Sequence, residues 1–123
     1  MLKLSKTGTL VAFVAAGMCL LRAAAPDKGR EAFEKRCAGC HALDKIKAGP
    51  PLQRVYGRKA GADPTFAYSD ALKSAAVTWD EASLERWLAD TDSVVRGNEM
   101  PFRLNDAQER RDIISFLKQL AGK

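Results

Sequence analysis

Apolar residues recur at Ile113, Phe116, Leu117 and Leu120, the i, i+3, i+4, i+7 spacing of a helix with one face on a core. Asn105-Asp106-Ala107-Gln108 ahead of that stripe predicts a capping box, and Gly122 stands where the helix should stop. A second stripe, Leu84, Trp87 and Leu88, follows Thr78-Trp79-Asp80-Glu81, with a hydroxyl to cap and a carboxylate three residues on. That helix should run to about Ala89. Asp27 can cap an earlier, highly charged helix ending at Arg36, whose apolar positions are few: Ala32, Phe33 and, one turn past Phe33 on the same side, Cys37. Ser69 can start a short helix through Ala76. Between these segments Gly49-Pro50-Pro51, Gly57 to Gly61 and Asp63-Pro64 rule out helix or central strand. No stretch reads as a sheet, a repeat or a linker. The pattern predicts an all-α protein, three main helices and a short one, with long loops wrapped around something other than protein.

The 123 residues allow one domain. Lys3 and Lys6, the apolar run Leu10 to Leu21, and the small residues Ala23 to Ala25 outline a secretory leader over residues 1–25, followed by a domain over 26–123. The apolar run is short for a membrane span. Ala23 and Ala25 form a small-x-small cleavage site, but Pro26 directly after it is a poor peptidase substrate, so retention of residues 7–25 as an anchor is the alternative. Cys19 follows the bulky Met18, which does not fit a lipobox, so it reads as a leader cysteine without a role.

The net charge of +5 falls to +2 beyond the leader, which holds Lys3, Lys6 and Arg22 and no acid. Neither that balance nor any aromatic-basic interleaving supports nucleic-acid binding. The charge is unevenly spread: residues 26–60 carry nine basic and four acidic side chains, residues 61–95 two and seven. The domain is dipolar, with its positive end at the segment described next.

Cys37-Ala38-Gly39-Cys40-His41 has the Cys-x-x-Cys-His order of a c-type haem attachment site. Each sulfur would add across a vinyl group to form a thioether, and the imidazole would bind the iron. A redox dithiol would be expected to follow a strand in a βαβ unit, whereas this pair closes a charged helix. A zinc site needs four ligands, and beyond the leader only two cysteines and the chain's single histidine remain. A structural disulfide is the third competitor. A porphyrin would also supply apolar surface that 98 residues otherwise lack.

An iron held by His41 needs a partner opposite. Met100 is the only methionine beyond the leader, and it lies in the turn-like Arg96-Gly97-Asn98-Glu99-Met100-Pro101-Phe102, outside any helical stripe where a methionine would be core filler. A thioether ligand favours ferrous iron, and with both axial positions filled the metal can only exchange electrons.

With these residues assembled, the chain resembles the class I c-type cytochromes, mitochondrial-like and bacterial periplasmic, over essentially residues 27 to 121. Gly29 and Phe33 match a first-helix glycine and aromatic that pack on the last helix, with Ile113 and Phe116 as their partners. Gly49-Pro50-Pro51-Leu52 is similar to a Gly-Pro-Asn-Leu loop, implying that the Pro50 carbonyl orients His41 and that Leu52 packs on the haem. Gly57-Arg58-Lys59-Ala60-Gly61 is similar to a Gly-Arg-Lys-Thr-Gly loop. The resemblance implies that Arg58 neutralises a haem propionate, that Tyr68 and Trp79 hydrogen-bond the propionates, and that Phe102 shields the distal face. Without it, Arg58 would read as a surface charge and Tyr68 as ordinary core. Leu72, Trp87, Thr91, Arg96, Asn98 and Glu99 depart from the mitochondrial pattern, where asparagine, tyrosine, two prolines, threonine and lysine stand. The segment after Met100 is one residue shorter.

The resemblance implies a soluble, monomeric, periplasmic one-electron carrier with one covalent haem c. Expected partners are redox complexes such as a quinol–cytochrome c oxidoreductase, a terminal oxidase or a periplasmic dehydrogenase, in a respiratory or photosynthetic chain; a membrane would be met only through these or an uncleaved leader. Lys35, Arg36, Lys45, Lys47 and Lys73 are candidates for steering towards acidic patches. The alternatives are a dedicated haem subunit of a dehydrogenase, and a haem peroxidase or gas sensor with a labile Met100.

Overall fold

The computed structural model describes residues 26–123; the leader, Cys19 and the cleavage question at Pro26 lie outside the described residues. Five helices appear among them: α1 (Pro26–Arg36), α2 (Asp70–Lys73), α3 (Glu81–Ala89), α4 (Thr91–Val94) and α5 (Ala107–Ala121). The β content described is one isolated antiparallel bridge between Lys59 and Thr78. The all-α expectation holds, with one more short helix than the pattern predicts. Four residues are too few to show a period, so α4 left no signal. Asp90 creates it by ending α3 in extended backbone and accepting the Asp92 N–H at the start of α4.

The capping registers differ from those expected. Asp80, not Thr78, caps α3: its carboxylate accepts the Ser83 N–H at 2.8 Å, and the Ser83 hydroxyl accepts the Asp80 N–H at 2.9 Å. The box is present two residues later, with serine in the place expected for glutamate. Thr78 instead offers its carbonyl to the Ser83 hydroxyl at 2.6 Å. Asp106, not Asn105, caps α5 by accepting the N–H groups of Gln108 and Glu109. Both shifts put a carboxylate where the helix dipole favours negative charge. Helix α1 begins at Pro26, a residue suited to a first helical position, which leaves Asp27 in the first turn rather than at the cap. Helix α2 keeps its Ser69 cap but ends at Lys73.

Helices α1 and α5 cross at Gly29, where an added Cβ would lie 2.5 Å from the Asp112 carbonyl oxygen and 2.7 Å from Phe116 Cβ. Only glycine permits that approach. The Phe33 and Phe116 rings meet one turn along, 5.5 Å between centroids. Glu109 closes the far end, accepting from Arg36 at 2.5 and 3.2 Å and from Lys35 at 3.2 Å. Helix α3 joins α5 through Arg110, whose Nε donates to Glu85 at 2.7 Å while Nη1 donates to the Leu104 carbonyl at 2.6 Å. The apolar faces of α3 and α5 (Leu84, Trp87 and Leu88; Ile113 and Leu117) turn inward and form one wall of a cavity.

Candidate cofactor site

The cavity has a volume of about 370 Å³, within the range of ligand pockets. Cys37, Cys40, His41, Pro50, Leu52, Arg58, Tyr68, Trp79, Met100 and Phe102 all line it. The residues singled out in the sequence are thus brought to one place from across the domain.

On one side, α1 runs into a helical turn. The Cys37 N–H donates to the Phe33 carbonyl at 2.7 Å, and the His41 N–H to the Cys37 carbonyl at 2.9 Å. That turn keeps both thiols and the imidazole together, with Cys37 buried and Cys40 exposed. Burial pushes the Cys37 thiol up to about 12. A thiol-disulfide catalyst needs the opposite, a thiolate favoured near neutral pH.

The chain then folds back over the imidazole. The Gly49 N–H donates to the Cys40 carbonyl at 2.8 Å, and a Cβ on Gly49 would press within 2.9 Å of three ring atoms of His41. His41 Nδ1 lies 2.9 Å from the Pro50 carbonyl oxygen. A carbonyl can only accept, so Nδ1 carries the proton and Nε2 keeps its lone pair. Burial lowers the His41 pKa, partly offset by the Pro50 bond and reinforced by Lys47, so the ring is neutral at pH 7. A neutral imidazole with its second nitrogen spent on a carbonyl is the state a metal requires.

A polar end is built by two antiparallel segments. Gly57 N–H donates to the Trp79 carbonyl at 2.6 Å, Trp79 N–H to the Arg58 carbonyl at 2.9 Å, and Ala60 N–H to the Val77 carbonyl at 2.8 Å. The turn beyond them needs Gly61, whose φ of 69° is left-handed and whose position leaves no room for a Cβ against the Leu72 carbonyl. Arg58 reaches Asp63 only loosely, 3.5 Å from Nη1 to the carboxylate, and its buried Nε has no partner among the described residues. Thr65 holds the Asp63 carboxylate through two hydrogen bonds that lower its pKa. Burial raises the Tyr68 pKa, partly offset by Asp63 backbone and Arg58, so the phenol remains a donor at neutral pH. Phe66 meets Tyr68 edge-on at 4.9 Å. Trp79 packs on Trp87, 5.0 Å between centroids.

Met100, also on the cavity wall, sits half-buried in a segment without helix. Its N–H donates to Asn98 Oδ1 and its carbonyl accepts from the Thr91 hydroxyl, each at 2.7 Å. Thr91 had been legible only as a departure from proline. Its hold on Met100 had no signal in the sequence, because it depends on where α4 lies. Phe66, Ser69 and Leu72 also line the cavity.

The cytochrome c family profile matches residues 26–121. A cytochrome c2 from Rhodomicrobium vannielii is 42% identical over 102 residues, spanning 80% of this chain and 81% of its own length. A cytochrome c from Chlamydomonas reinhardtii is 42% identical over 96 residues, spanning 75% and 86%. Among solved structures, cytochrome cH from Methylobacterium extorquens superposes with a TM-score of 0.72 at 42% identity, covering 76% of this chain and 97% of that one. The chain belongs to the cytochrome c family, and it is a monohaem class I c-type cytochrome, an electron-transfer protein and not an enzyme, with haem c as its cofactor.

The residues present fit that group. The attachment motif supplies two sulfurs and an unprotonated imidazole nitrogen, the cavity wall is largely apolar, and the orphaned buried Arg58 Nε sits where an anionic edge would be neutralised.

Proposed function

We propose that this protein carries single electrons in the periplasm between redox complexes, with His41 and Met100 as axial ligands and Cys37 and Cys40 as covalent anchors. The observation that carries this reading is that His41 and Met100 line one cavity together with both cysteines, His41 already in the tautomer that frees Nε2. When bound, the haem supplies a one-electron couple at iron, tuned by its axial ligands and by the dielectric around it.

The protein's own residues keep that couple unchanged in geometry. Pro50 and Gly49 fix the imidazole plane. Leu52, Trp87 and Phe102 exclude water from the interior. Arg58, Tyr68 and Trp79 would hold the propionates, the guanidinium compensating a charge that would otherwise be costly to bury. With Met100 in place and no second histidine to act as a distal base, peroxidase chemistry and gas sensing are disfavoured.

Encounter would occur near the attachment turn, where Cys40 is exposed and Ile46 presents apolar surface between Lys45 and Lys47. Lys45, Lys47 and Lys73 form no ion pair among the described residues. Lys35 and Arg36 are weaker candidates than their charges suggest, because Glu109 engages both. Partners of complementary charge are membrane oxidoreductases such as a quinol–cytochrome c oxidoreductase, a terminal oxidase or a periplasmic dehydrogenase. The basic, then apolar, then small-residue N-terminus supports export; no helix among the described residues is long and apolar enough to cross a membrane.

Full-chain protein matured with a haem-attachment system tests the ligation. The expected result is a haem adduct by mass and a sulfur-to-iron charge-transfer band in the ferric state; a high-spin ferric spectrum would overturn it. Partner reduction should slow as salt rises; a rate independent of ionic strength would remove the steering role.

A further inference from the structure

We infer that Thr91 and Asn98 are positioning residues for Met100, a hydrogen-bond clamp that sets how often its sulfur leaves the metal. The inference rests on Met100 being the distal ligand. Among the described residues neither main-chain polar group of Met100 bonds to backbone: its N–H goes to Asn98 Oδ1 and its carbonyl to Thr91 Oγ1, both at 2.7 Å. The placement of the ligand is therefore written in two side chains that can be altered without touching sulfur.

Both side chains are themselves fixed. Thr91 is 1% exposed, among the most deeply buried side chains described. Its hydroxyl also accepts the Phe102 N–H at 3.2 Å, and its own N–H donates to the Phe102 carbonyl at 3.2 Å. Asn98 Nδ2 donates to the Val95 carbonyl at 2.8 Å and to Asp92 at 3.1 Å. Thr91, the first residue of α4, and Asn98, in the turn that follows it, thus each hold one main-chain polar group of Met100. A proline at position 91 would lack both the hydroxyl and the N–H, so in this chain side-chain bonding does the stiffening.

Removing the Thr91 hydroxyl leaves the Met100 carbonyl and the Phe102 N–H without that partner in a part-buried segment. The loss of these hydrogen bonds should raise the sulfur-off population about tenfold. An added ligand that competes with sulfur reads that population directly.

The test titrates imidazole into ferric, haem-loaded, full-chain protein. Thr91→Val and Asn98→Ala should each bind imidazole about tenfold more tightly than wild type and weaken the sulfur-to-iron band, whereas Thr91→Ser should restore both. Ser83→Ala, which breaks the α3 cap away from this segment, controls for general loosening: it should lower the denaturation midpoint but leave imidazole affinity unchanged. Wild-type affinity in Thr91→Val and Asn98→Ala, with the band intact in wild type, overturns the clamp. An equal gain in Ser83→Ala at equal loss of stability does so too. A wild-type protein without the band, binding imidazole as tightly as Met100→Ala, overturns the ligation reading instead.

Discussion

The His41 side of the cavity is held by main chain and close packing, the Met100 side by side-chain hydrogen bonds. His41 closes the hydrogen-bonded turn that continues α1, its Nδ1 bonds a backbone carbonyl, and Gly49 leaves no slack over the ring. Met100 lies in a non-helical segment, and its own carbonyl and N–H depend on Thr91 and Asn98. Backbone contacts survive most substitutions, and side-chain contacts do not. Under the proposed ligation, this arrangement keeps one ligand almost invariant and leaves the other open to tuning.

Breaking the invariant side should have the largest effect. Gly49→Ala forces a methyl into the His41 ring, so the ring or the loop must move. The expected outcome is loss of the low-spin spectrum, with little haem retained at maturation, measured by absorbance and mass. Native absorbance in Gly49→Ala would show that the loop yields easily and that the two sides are not so different.

Met100→Ala strikes the tunable side. Haem should remain covalently attached, the midpoint potential should fall, and imidazole should bind roughly 10- to 1000-fold more tightly, the factor by which a minor open state taxes binding in wild type. Imidazole titration and voltammetry measure both.

Gly29→Ala probes the floor shared by both sides. Overpacking the α1–α5 crossing should cost about 1–3 kcal/mol, read from denaturant unfolding, without changing either ligand's signature at room temperature. A changed spectrum at full haem occupancy would mean that the crossing and the ligands are coupled.

Glu109→Gln should have the smallest effect. Hydrogen bonds from Arg36, then Lys35, hold the Glu109 carboxyl below its ordinary pKa. A depressed carboxylate stabilises the fold above its unfolded pKa and loses that contribution as pH falls through the folded value. The thermal midpoint should therefore drop slightly near pH 7, and the gap to wild type should shrink under acid. Because the pair is exposed, the difference should also shrink in salt.

Much of this was legible in the residues. Cys37-x-x-Cys40-His41 announces its chemistry because covalent attachment demands that spacing, and the stripes of α3 and α5 announce their faces because burial demands that period. The capping registers were less legible. Thr78 and Asn105 are as good caps as Asp80 and Asp106 in isolation, and tertiary position decides between them. The grip of α4 on Met100 was not legible at all, since a four-residue helix has no period and its contacts span nine to eleven residues. The same limit applies to Lys35 and Arg36, whose charges suggest a docking surface until Glu109 is seen beside them.

The central claim is that nitrogen and sulfur from this chain close both axial positions. Near-infrared absorption of the ferric, haem-loaded protein, recorded for wild type and Met100→Ala at equal haem content, tests it most directly. The account predicts a sulfur-to-iron band in wild type that disappears in the variant. A band that persists in Met100→Ala, or a wild-type spectrum that is already high-spin, would contradict it.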